Sequence, residues 1–535
     1  MQIIESIPYH SLPIHSKLVK DYIYGQEKLN SFYTHRPSLD GLLQAAQQRR
    51  FSKFNRSTLV DALQSQYKNL NILGAAKQNL EKLQDENTFT ITTGHQLCAY
   101  AGPAYFIYKI SSVINLAKQL NEKDHTKHFV PVFWMASEDH DFEEISEVNF
   151  YGKSWKWVKE NDRFGKVPVG LLNPAALSLW AQEMKSYFHD EENASAILAI
   201  FERGYKDNLT LAEATRQIVH ELFKDTGLLI IDGNDPLLKR LLIPVLTQEV
   251  KSKSSFAAVQ QATQELEKLG YEAQITPREI NLFYFNADDS RQRIECSSVG
   301  FILAGSEKSW SESELLKEIA LYPEKFSPNV VLRPVYQEFI LPNIAYLGGP
   351  AEVAYWLQLK GVFEHFDIDF PAVLVRSSVA TVQKNVEEKA SKYTFSWSSY
   401  FNLTLDEILT KFIQEANEGE LDFSQEIVFV NKIAELLNEK ANQIDKQLTT
   451  QVDIEQKSFF DSLKKLESKF NKSLKQKSES DLKNLQRIRN ILMPRNRFQE
   501  RVINFIDLFG FEPDAIPEII VLTNPLDFEL KLLKN

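Results

Sequence analysis

The feature that most constrains this chain is a long stretch without proline in its C-terminal third. From Ala372 to Met493 the sequence contains no proline and a single glycine, Gly419. Because proline breaks helices and glycine weakens them, this stretch is expected to be largely helical. Within it, apolar residues alternate spacings of three and four, which indicates a heptad-like seam. The seam residues are Val430, Ile433, Leu437, Ala441, Ile444, Leu448 and Val452, followed by Phe459, Leu463, Leu466, Phe470 and Leu474.

This seam is compatible with two structures. Two helices can pack on one another as a hairpin, or the hairpin can be a coiled-coil arm that also joins two copies of the chain. The sequence does not separate these alternatives. After the arm, the segment IPEIIVLTN predicts one more strand that folds back onto the body.

The body that precedes the arm has an α/β pattern. Its first ninety residues look helical, with one amphipathic helix predicted over residues 57–83. A strand over residues 89–93, a helix over 105–120 and an apolar strand over 129–136 then form a βαβ unit. Continuous apolar strands of this kind are typical of a parallel sheet that is buried on both faces.

A second block of the same kind follows. A helix over residues 211–225 leads to a strand over 228–232, and Asp235 is predicted to cap the next helix, with Pro236 at its first position. A further helix is predicted over 256–269. The predicted division is 1–148 for the N-terminal helices and the first part of the core, 149–204 for an insertion, 205–270 and 333–378 for the rest of the core, 271–332 for a second insertion with short strands, 379–505 for the arm and 506–535 for the tail.

Composition and motifs disfavour several classes of protein. The chain has 535 residues and a net charge of −11, which argues against a broad nucleic-acid-binding face. Its two cysteines, Cys98 and Cys296, cannot build a disulfide framework and fit a reducing, cytoplasmic location. Neither a signal peptide nor a membrane-spanning segment is predicted. The P-loop, GxGxxG, HExxH, CxxC and GxSxG motifs are absent, which disfavours the enzyme classes that depend on them.

Three segments at predicted strand ends are dense in side chains that do chemistry. The first reads TTGHQLCAYAGPAY and leads to Lys109. Strand ends and helix N-termini are where open α/β sheets bind ligands, so His95 and Lys109 are candidates to stabilise charge on a phosphate. An ordinary tight loop with a structural histidine is an equal alternative. The candidates from this segment are Thr93, Gly94, His95, Gln96, Gly102, Pro103, Tyr105 and Lys109.

The second segment, SEDHD, directly follows the apolar strand over residues 129–136. Consecutive ionisable residues are costly beside a core unless they are paired or functional. His140 is a candidate general base whose tautomer a neighbouring carboxylate sets, with Glu138, Asp139 and Asp141 as further site residues. Their close spacing suits a preformed metal site poorly, so no metal ligands are predicted. The alternative is a charged loop that opens a short helix over residues 142–147.

The third segment runs from Arg333 to Trp356. Its Gly-Gly-Pro turn precedes a predicted helix whose N-terminus can accept an anion. A strand over residues 373–378 follows, and Arg376 at its end is placed to reach a phosphate or carboxylate, with a surface salt bridge as an equal alternative. The candidates from this region are Arg333, Gln337, Tyr346, Gly348, Gly349, Pro350, Glu352, Tyr355, Arg376 and Ser377.

These segments resemble the BshC family, the cysteine-adding enzymes of bacillithiol biosynthesis. The resemblance lies in TTGHQLCAYAGPAYFIYKI, PVFWMASEDHDFEEI, RPVYQEFILPNIAYLGGPAEVAYWLQLKGVFEHF and the closing MPRNRFQERVINF. Four long motifs in the same order span nearly the whole chain, so it is identified as a member of this family. The family implies a Rossmann-like core similar to class I aminoacyl-tRNA synthetases and nucleotidyl transferases, with two connecting-peptide insertions and a C-terminal coiled-coil domain, as a homodimer.

The reaction that the resemblance implies is the addition of L-cysteine to glucosaminyl-malate. ATP, accompanied by Mg²⁺, would activate the cysteine carboxylate and leave ADP or AMP before the sugar amine attacks. The roles implied are phosphate stabilisation for His95 and Lys109, binding of the cysteine amine or sugar hydroxyls for Asp139, His140 and Asp141, and binding of malate or nucleotide for Arg333, Gln337, Tyr346 and the turn from Gly349 to Glu352. Two rival interpretations stay open: a ligase or nucleotidyl transferase with a different amine acceptor, and a non-catalytic dimeric scaffold with a degenerate nucleotide cleft.

Overall fold

The structure is a computed structural model that describes residues 1–186, 191–298, 300–416, 423–477, 479–510 and 515–534. Gly419 lies outside the described residues. The chain divides into two compact units: Met1–Thr381 with Glu500–Leu533, and Val382–Gln499 with Lys534. The finer division expected from the sequence stays a prediction.

The strands and helices follow one another along both units. The strands are β1 (Gln2–Pro8), β2 (Thr88–His95), β3 (His128–Met135), β4 (Glu147–Phe150), β5 (Lys153–Lys156), β6 (Leu229–Asp232), β7 (Leu282–Phe285), β8 (Arg291–Ser297), β9 (Gly300–Leu303), β10 (Ser309–Trp310), β11 (Phe326–Pro328), β12 (Asn343–Gly348), β13 (Ala372–Val375), β14 (Ser378–Val382) and β15 (Glu529–Lys534). The helices of the first unit are α1 (Lys17–Ile23), α2 (Leu39–Gln48), α3 (Lys53–Tyr67), α4 (Gly74–Lys82), α5 (Tyr105–Lys123), α6 (Phe142–Ile145), α7 (Ser178–Lys185), α8 (Glu191–Gly204), α9 (Leu211–Leu222), α10 (Pro236–Leu241), α11 (Ile243–Ser252), α12 (Ser254–Lys268), α13 (Glu312–Leu321), α14 (Leu332–Ile340), α15 (Pro350–Trp356) and α16 (Lys360–His365). The second unit contributes α17 (Lys384–Ala390), α18 (Trp397–Asn402), α19 (Leu405–Ala416), α20 (Ser424–Ile444), α21 (Leu448–Lys477) and α22 (Glu479–Leu492), after which the chain returns to the first unit with α23 (Phe505–Phe509) and α24 (Ala515–Leu522).

A parallel sheet forms the centre of the first unit and confirms the predicted α/β fold. Within the described residues its strands lie in the order β13-β12-β2-β3-β6. Every residue of β2, β12 and β13 is buried, as expected for a sheet covered on both faces. Apolar residues of β2, β12 and β13 share one core with α2 and α5.

The strand order fixes where a ligand can enter. The chain steps from β2 to β3 and β6 on one side, and then returns to place β12 and β13 on the other side of β2. This is the Rossmann order, in which a crevice opens between the carboxyl ends of the two strands at the reversal, here β2 and β12. The three predicted site segments meet at this edge. The first two lie at or just beyond the carboxyl ends of β2 and β3, and the third runs from α14 through β12 into α15.

Local predictions in the second βα block are also confirmed. The Asp235 side chain accepts hydrogen bonds from the backbone N–H groups of Leu237 and Leu238, and Pro236 opens α10. In the second insertion the short predicted strands become β7 and β8. They belong to an antiparallel sheet with the order β10-β9-β8-β7-β11.

The N-terminal region differs from its prediction. The segment 57–83 is not one helix, because the chain leaves the helix after Tyr67 and resumes it at Gly74, whose φ is +56°. Asparagine and glycine in NLNILG lower helix propensity there and explain the break. The first ninety residues also contain the strand β1. The strand predicted over 373–378 is split, because Arg376 and Ser377 leave the ladder between β13 and β14.

The tail differs as well, since IPEIIVLTN lies mainly in a helix rather than a strand. Ile516, Ile519 and Ile520 are buried at helical spacing on the side of α24 that packs against α5. The Asn115 side chain of α5 donates a hydrogen bond of 2.7 Å to the Ile520 carbonyl. Tertiary packing therefore overrides the strand preference of isoleucine and valine. The strand that returns to the body is β15, which lies between β1 and β14.

The helical unit contains the predicted hairpin. Helices α20 and α21 run antiparallel, since the side chains of Asn438 and Asn431 bond to those of Asp453 and Gln456 at 3.3 and 2.8 Å. The hairpin still exposes large apolar side chains, including Ile433 at 57% and Phe459 at 56%. Whether it joins two copies stays a prediction. None of the described helices is both long enough and apolar enough to cross a bilayer.

The helical structure of the tail predicts that substitutions at residues 519 and 521 have different effects on stability. On a strand, residues 519 and 521 would share one face, whereas on α24 Ile519 is 1% exposed and Val521 is 70% exposed. We expect Ile519→Ala to lower the free energy of unfolding by about 2–5 kcal/mol. The matched Val521→Ala should change it by less than about 0.5 kcal/mol. Urea unfolding measures both, and equal losses would contradict the helix.

Candidate active site

A cavity of about 440 Å³ opens at the carboxyl edge of the parallel sheet. It collects most of the candidate residues from all three sequence segments. Those that line it are Gly94, His95, Gln96, Tyr105, Lys109, Glu138, Asp139, Arg333, Tyr346, Gly349, Pro350, Glu352, Tyr355 and Arg376. Polar side chains that the sequence did not single out also line it, namely Glu144, Arg291, Asn329 and Arg501.

An ion pair between buried Lys109 and partly buried Glu352 forms the floor of the cavity. Lys109, in the first turns of α5, donates hydrogen bonds of 2.6 Å to the Glu352 carboxylate and to the Gly94 carbonyl. Glu352, in the first turn of α15, also accepts from the Tyr346 hydroxyl at 2.6 Å and the Gly349 N–H at 2.7 Å. Burial acts to raise the pKa of Glu352, but the Lys109 charge and these hydrogen bonds outweigh it and lower the pKa to about 2.

This pair limits how the protein groups predicted to bind a phosphate can contact one. The Lys109 charge is already balanced by Glu352, and the Gly349 N–H at the start of α15 is already bonded to the same carboxylate. A phosphate would have to compete with Glu352 for both groups. The pair therefore fits a structural and electrostatic role in the floor better than direct contact with an anion.

His95 is a neutral side chain at the end of β2. Its Nδ1 lies 3.0 Å from the Gln96 carbonyl, which only accepts, so Nδ1 carries the proton and Nε2 has the free lone pair. Burial, followed by the Lys109 charge, lowers the pKa of His95 to about 3. In this state the imidazole has no positive charge to place beside a phosphate.

The segment after β3 is held by an arginine from the second insertion. Arg291 on β8 points Nη1 at the Asp139 carboxylate, 3.4 Å away, and at His140 Nδ1, 3.2 Å away. Gln96 donates a 2.8 Å hydrogen bond to the other oxygen of Asp139. Because His140 Nδ1 accepts from a guanidinium, its lone pair is occupied, and burial together with Arg291 lowers the pKa of His140. These contacts disfavour His140 as the base.

Two glutamates in this segment have different surroundings. Glu138 forms an ion pair with Lys239, whose side chain is fully buried and also donates to the Phe326 carbonyl at 2.6 Å. The Glu144 carboxylate lines the cavity and has no hydrogen-bond or ion-pair partner among the described residues. Glu144 is exposed towards the cavity, and the partial burial of its carboxylate, followed by the charges of Asp139 and Asp141, raises its pKa.

Arginines form the opposite side. Arg333, in the first turn of α14, donates from Nη1 to Gln337 at 3.1 Å, while its buried Nη2 has no partner. Arg376 leaves the sheet after β13 and pairs with Glu500 at 2.7 Å. Its guanidinium also lies 4.9 Å from the centre of the Tyr105 ring.

The other predicted residues lie behind or beside the cavity rather than in its lining. Asp141 is exposed and caps α6 by accepting from the Glu144 N–H, and Gln337 supports Arg333. The remainder are backbone or packing positions: Thr93 bonds within the sheet, Gly348 ends β12, Ser377 follows Arg376, and Gly102 and Pro103 lie in the loop before α5. Their proposed roles, like that of His140, stay predictions.

Some of the lining residues that the sequence analysis did not single out could have been found from the sequence, and others could not. Glu144 and Arg501 lie within DFEEI and FQERVINF, which belong to the motifs that carry the resemblance, so their position was a usable signal. Arg291 lies in an insertion without a recognisable motif, and only the pairing of β7 with β8 and β11 brings it to the cavity. No group of three or more His, Cys, Asp or Glu side chains in the described part of the chain could hold a metal ion.

The strand order and the charged cavity at the reversal define a Rossmann-like α/β protein with a small-molecule site. Family models described as "Bacillithiol biosynthesis BshC, N-terminal Rossmann-like domain" and "Bacillithiol biosynthesis BshC, C-terminal coiled-coil domain" match residues 2–377 and 379–535. The chain belongs to the BshC family, which confirms the resemblance of the four motifs.

Similar curated proteins cover almost the whole chain. Those of Flavobacterium johnsoniae and Cytophaga hutchinsonii are each 36% identical, over 99% of this chain and 99% and 98% of their own lengths. The protein of Bacillus cytotoxicus is 28% identical over 94% of this chain and 95% of its own. All three are named "Putative cysteine ligase BshC". A solved structure titled "putative arginyl t-RNA synthetase" from Campylobacter jejuni aligns with 84% of this chain and 98% of its own chain at 11% identity, but its TM-score of 0.23 supports no conclusion.

The ion pair between Lys109 and Glu352 is expected to make a pH-dependent contribution to the stability of the fold. The pKa of Glu352 lies near 2 in the folded chain against 4.5 for a free glutamate, so its stabilisation is complete above pH 4.5 and is lost as the pH falls towards 2. We expect Glu352→Gln to lower the free energy of unfolding at pH 7 by about 3 kcal/mol, and this gap to narrow below pH 4.5.

Urea unfolding at several pH values measures the gap. Glu364→Gln is the control, because that carboxylate is 66% exposed and pairs with Lys360 only at the surface. The control should differ little from the wild type throughout. A gap for Glu352→Gln that stays constant down to pH 3 would contradict the assignment.

Proposed function

We propose that this chain catalyses the ATP-dependent addition of L-cysteine to glucosaminyl-malate, which forms bacillithiol. The observation that carries the proposal is the pattern of charges left over in the cavity. Lys109, Arg376, Arg291 and Glu138 all have partners of opposite charge, which leaves Arg333, Arg501 and Glu144 without one among the described residues. Two unpaired cations and one unpaired carboxylate suit ligands that bring several negative charges and one amine.

The proposed reaction makes an amide bond in two steps. A carboxylate oxygen of cysteine attacks a phosphorus of ATP, forming a carboxyl-phosphate bond and releasing ADP or pyrophosphate. The neutral sugar amine then attacks the activated carbonyl carbon, forming the C–N bond and expelling phosphate or AMP. The amine must lose a proton in this step, so a base must lie in the cavity.

Glu144 is the group that we assign to this proton transfer. A carboxylate becomes a stronger base as its surroundings raise its pKa. Glu144 is open to solvent on its cavity side, and the partial burial of its carboxylate, followed by the charges of Asp139 and Asp141, raises that pKa. His140 is less suitable, because its Nδ1 lone pair faces the Arg291 guanidinium. Arg333 and Arg501 would bind the phosphate or malate charges.

Mg²⁺ would accompany the nucleotide as part of the substrate. Such an ion keeps mostly phosphate and water ligands and needs only one or two protein carboxylates. Asp139 would be the protein ligand, since its side chain is 38% exposed and lines the cavity, and the ion would replace its contacts with Gln96 and Arg291. The ion would help to balance the charge of the phosphates.

The purified chain tests the proposal directly. Incubation with ATP, Mg²⁺, L-cysteine and glucosaminyl-malate should yield bacillithiol, identified by mass, with ADP or AMP as the second product. Deletion of the gene in its host should remove bacillithiol and cause glucosaminyl-malate to accumulate. An unchanged thiol profile together with an inactive purified chain would favour a different acceptor or the scaffold interpretation.

Within this assay, Glu144→Gln tests the base. We expect kcat to fall by about 10²–10⁴-fold, with little change in KM, because the amide keeps the shape of the side chain but cannot accept the proton. Glu143→Gln is the matched control, since its neighbouring carboxylate is 75% exposed and pairs with Lys159. Equal activities of the two variants would remove the role of Glu144.

We also propose that the chain acts as a homodimer through its helical hairpin. The support is a groove lined by Val430, Ile433, Leu437 and Phe459, where large apolar side chains stay exposed. Light scattering should give twice the chain mass of 61.6 kDa. The double variant Ile433→Glu/Phe459→Glu should shift the measured mass towards that of the monomer. The control variant Lys432→Glu, at the position next to Ile433, should keep the mass of the dimer.

A further inference from the structure

The closing motif of the sequence enters the first unit as a short return segment, residues 500–504. This segment is far from the other lining residues in sequence, yet it supplies Arg501 to the cavity. It follows the helical hairpin and precedes α23. Its contacts explain how an arginine so distant along the chain reaches the site.

Buried side chains fix the return segment on both sides of Arg501. Glu500, which is 1% exposed, accepts hydrogen bonds from Arg376 Nη2 at 2.7 Å, from the Ser378 hydroxyl at 3.2 Å and from the Val379 N–H at 3.3 Å. The backbone that carries Arg501 is therefore tied to the turn between β13 and β14.

Asn504 ties the other side to the loop before α5. It is 1% exposed, and its Nδ2 donates to the carbonyls of Tyr100 and Gly102 at 2.9 and 2.7 Å. Tyr100, Ala101 and Gly102 all have positive φ, which is costly for the two that carry a Cβ. The loop keeps this conformation because several groups hold it, and it leads directly into Tyr105.

Tyr105, Arg376 and Arg501 together make a donor-rich corner of the cavity, named here the Tyr105 corner. The Tyr105 hydroxyl and the Arg501 guanidinium have no hydrogen-bond partner among the described residues, and the buried Nε of Arg376 has none either. Burial raises the pKa of Tyr105, so its hydroxyl keeps the proton that it can donate. Two carboxylates affect the corner: Glu500, which Arg376 already neutralises, and Glu144, whose charge adds to the rise in the pKa of Tyr105.

We infer that Arg501 is a ligand-binding residue whose guanidinium, with the Tyr105 hydroxyl, binds an oxyanion of the substrate. A guanidinium that is fixed at its backbone and unpaired at its head suits a phosphate or a carboxylate, because both accept two parallel hydrogen bonds from it. This assignment rests on the proposed function, whose substrates supply these oxyanions as the phosphates of ATP and the carboxylates of malate.

Direct binding to the full chain tests the assignment. Calorimetric titrations with ATP and Mg²⁺, and separately with glucosaminyl-malate, are carried out on the wild type, Arg501→Gln and Arg501→Lys. We expect Arg501→Gln to lower the affinity for one of the two ligands by about 10–100-fold and the affinity for the other by less than about 3-fold. Arg501→Lys should recover part of the loss, because it restores the charge without the fork. A loss of affinity confined to ATP identifies the oxyanion as a phosphate. A loss of affinity confined to glucosaminyl-malate identifies it as a carboxylate.

The control is Arg497→Gln, an exposed arginine shortly before the return segment, which should bind both ligands like the wild type. Thermal unfolding of each variant establishes that it is folded. Wild-type affinity of Arg501→Gln for both ligands would overturn the assignment and leave the proposed function intact. A wild-type chain that binds neither ligand would overturn both.

Discussion

The Glu352 carboxylate joins elements that are far apart in the sequence, and the cavity depends on it. It accepts from Lys109 on α5, from Tyr346 on β12 and from the backbone at the start of α15. Each donor is buried or nearly so, which makes the pair costly to break and resistant to screening by salt. The two strands at the topological reversal are thereby held to the helices that follow them.

Charge compensation organises the rest of the site. Two buried cations at the cavity each have their own carboxylate: Lys239 behind the lining has Glu138, and Arg376 in the lining has Glu500. Buried charges without partners are expensive, so paired charges are expected in the walls. The groups that face the cavity without a partner are then the ones available to a ligand. This distinction separates supporting residues from binding residues more clearly than residue type does.

The sequence predicts the core well, because buried parallel strands are continuous apolar runs and their carboxyl ends must share one edge. Most candidates beyond β2 and β12 therefore reach the cavity. The contacts of each side chain within the cavity were harder to predict, because they involve residues from other segments of the chain. The contact between His140 Nδ1 and Arg291, which lies in an insertion, is one example, and the role of His140 as a base stays a prediction. Likewise IPEIIVLTN has the composition of a strand, and only its packing on α5 makes it a helix.

The position of the return segment has a consequence for how the protein is made on the ribosome. Domains generally form from the N-terminus during synthesis, and β2, β3, β6, β12 and β13 are all complete before the helical hairpin is translated. The loop before α5 nevertheless lacks Asn504, and Arg376 lacks Glu500, until the last part of the chain emerges. The sheet can thus assemble early, but a nascent chain has no finished cavity in which to bind or activate a substrate.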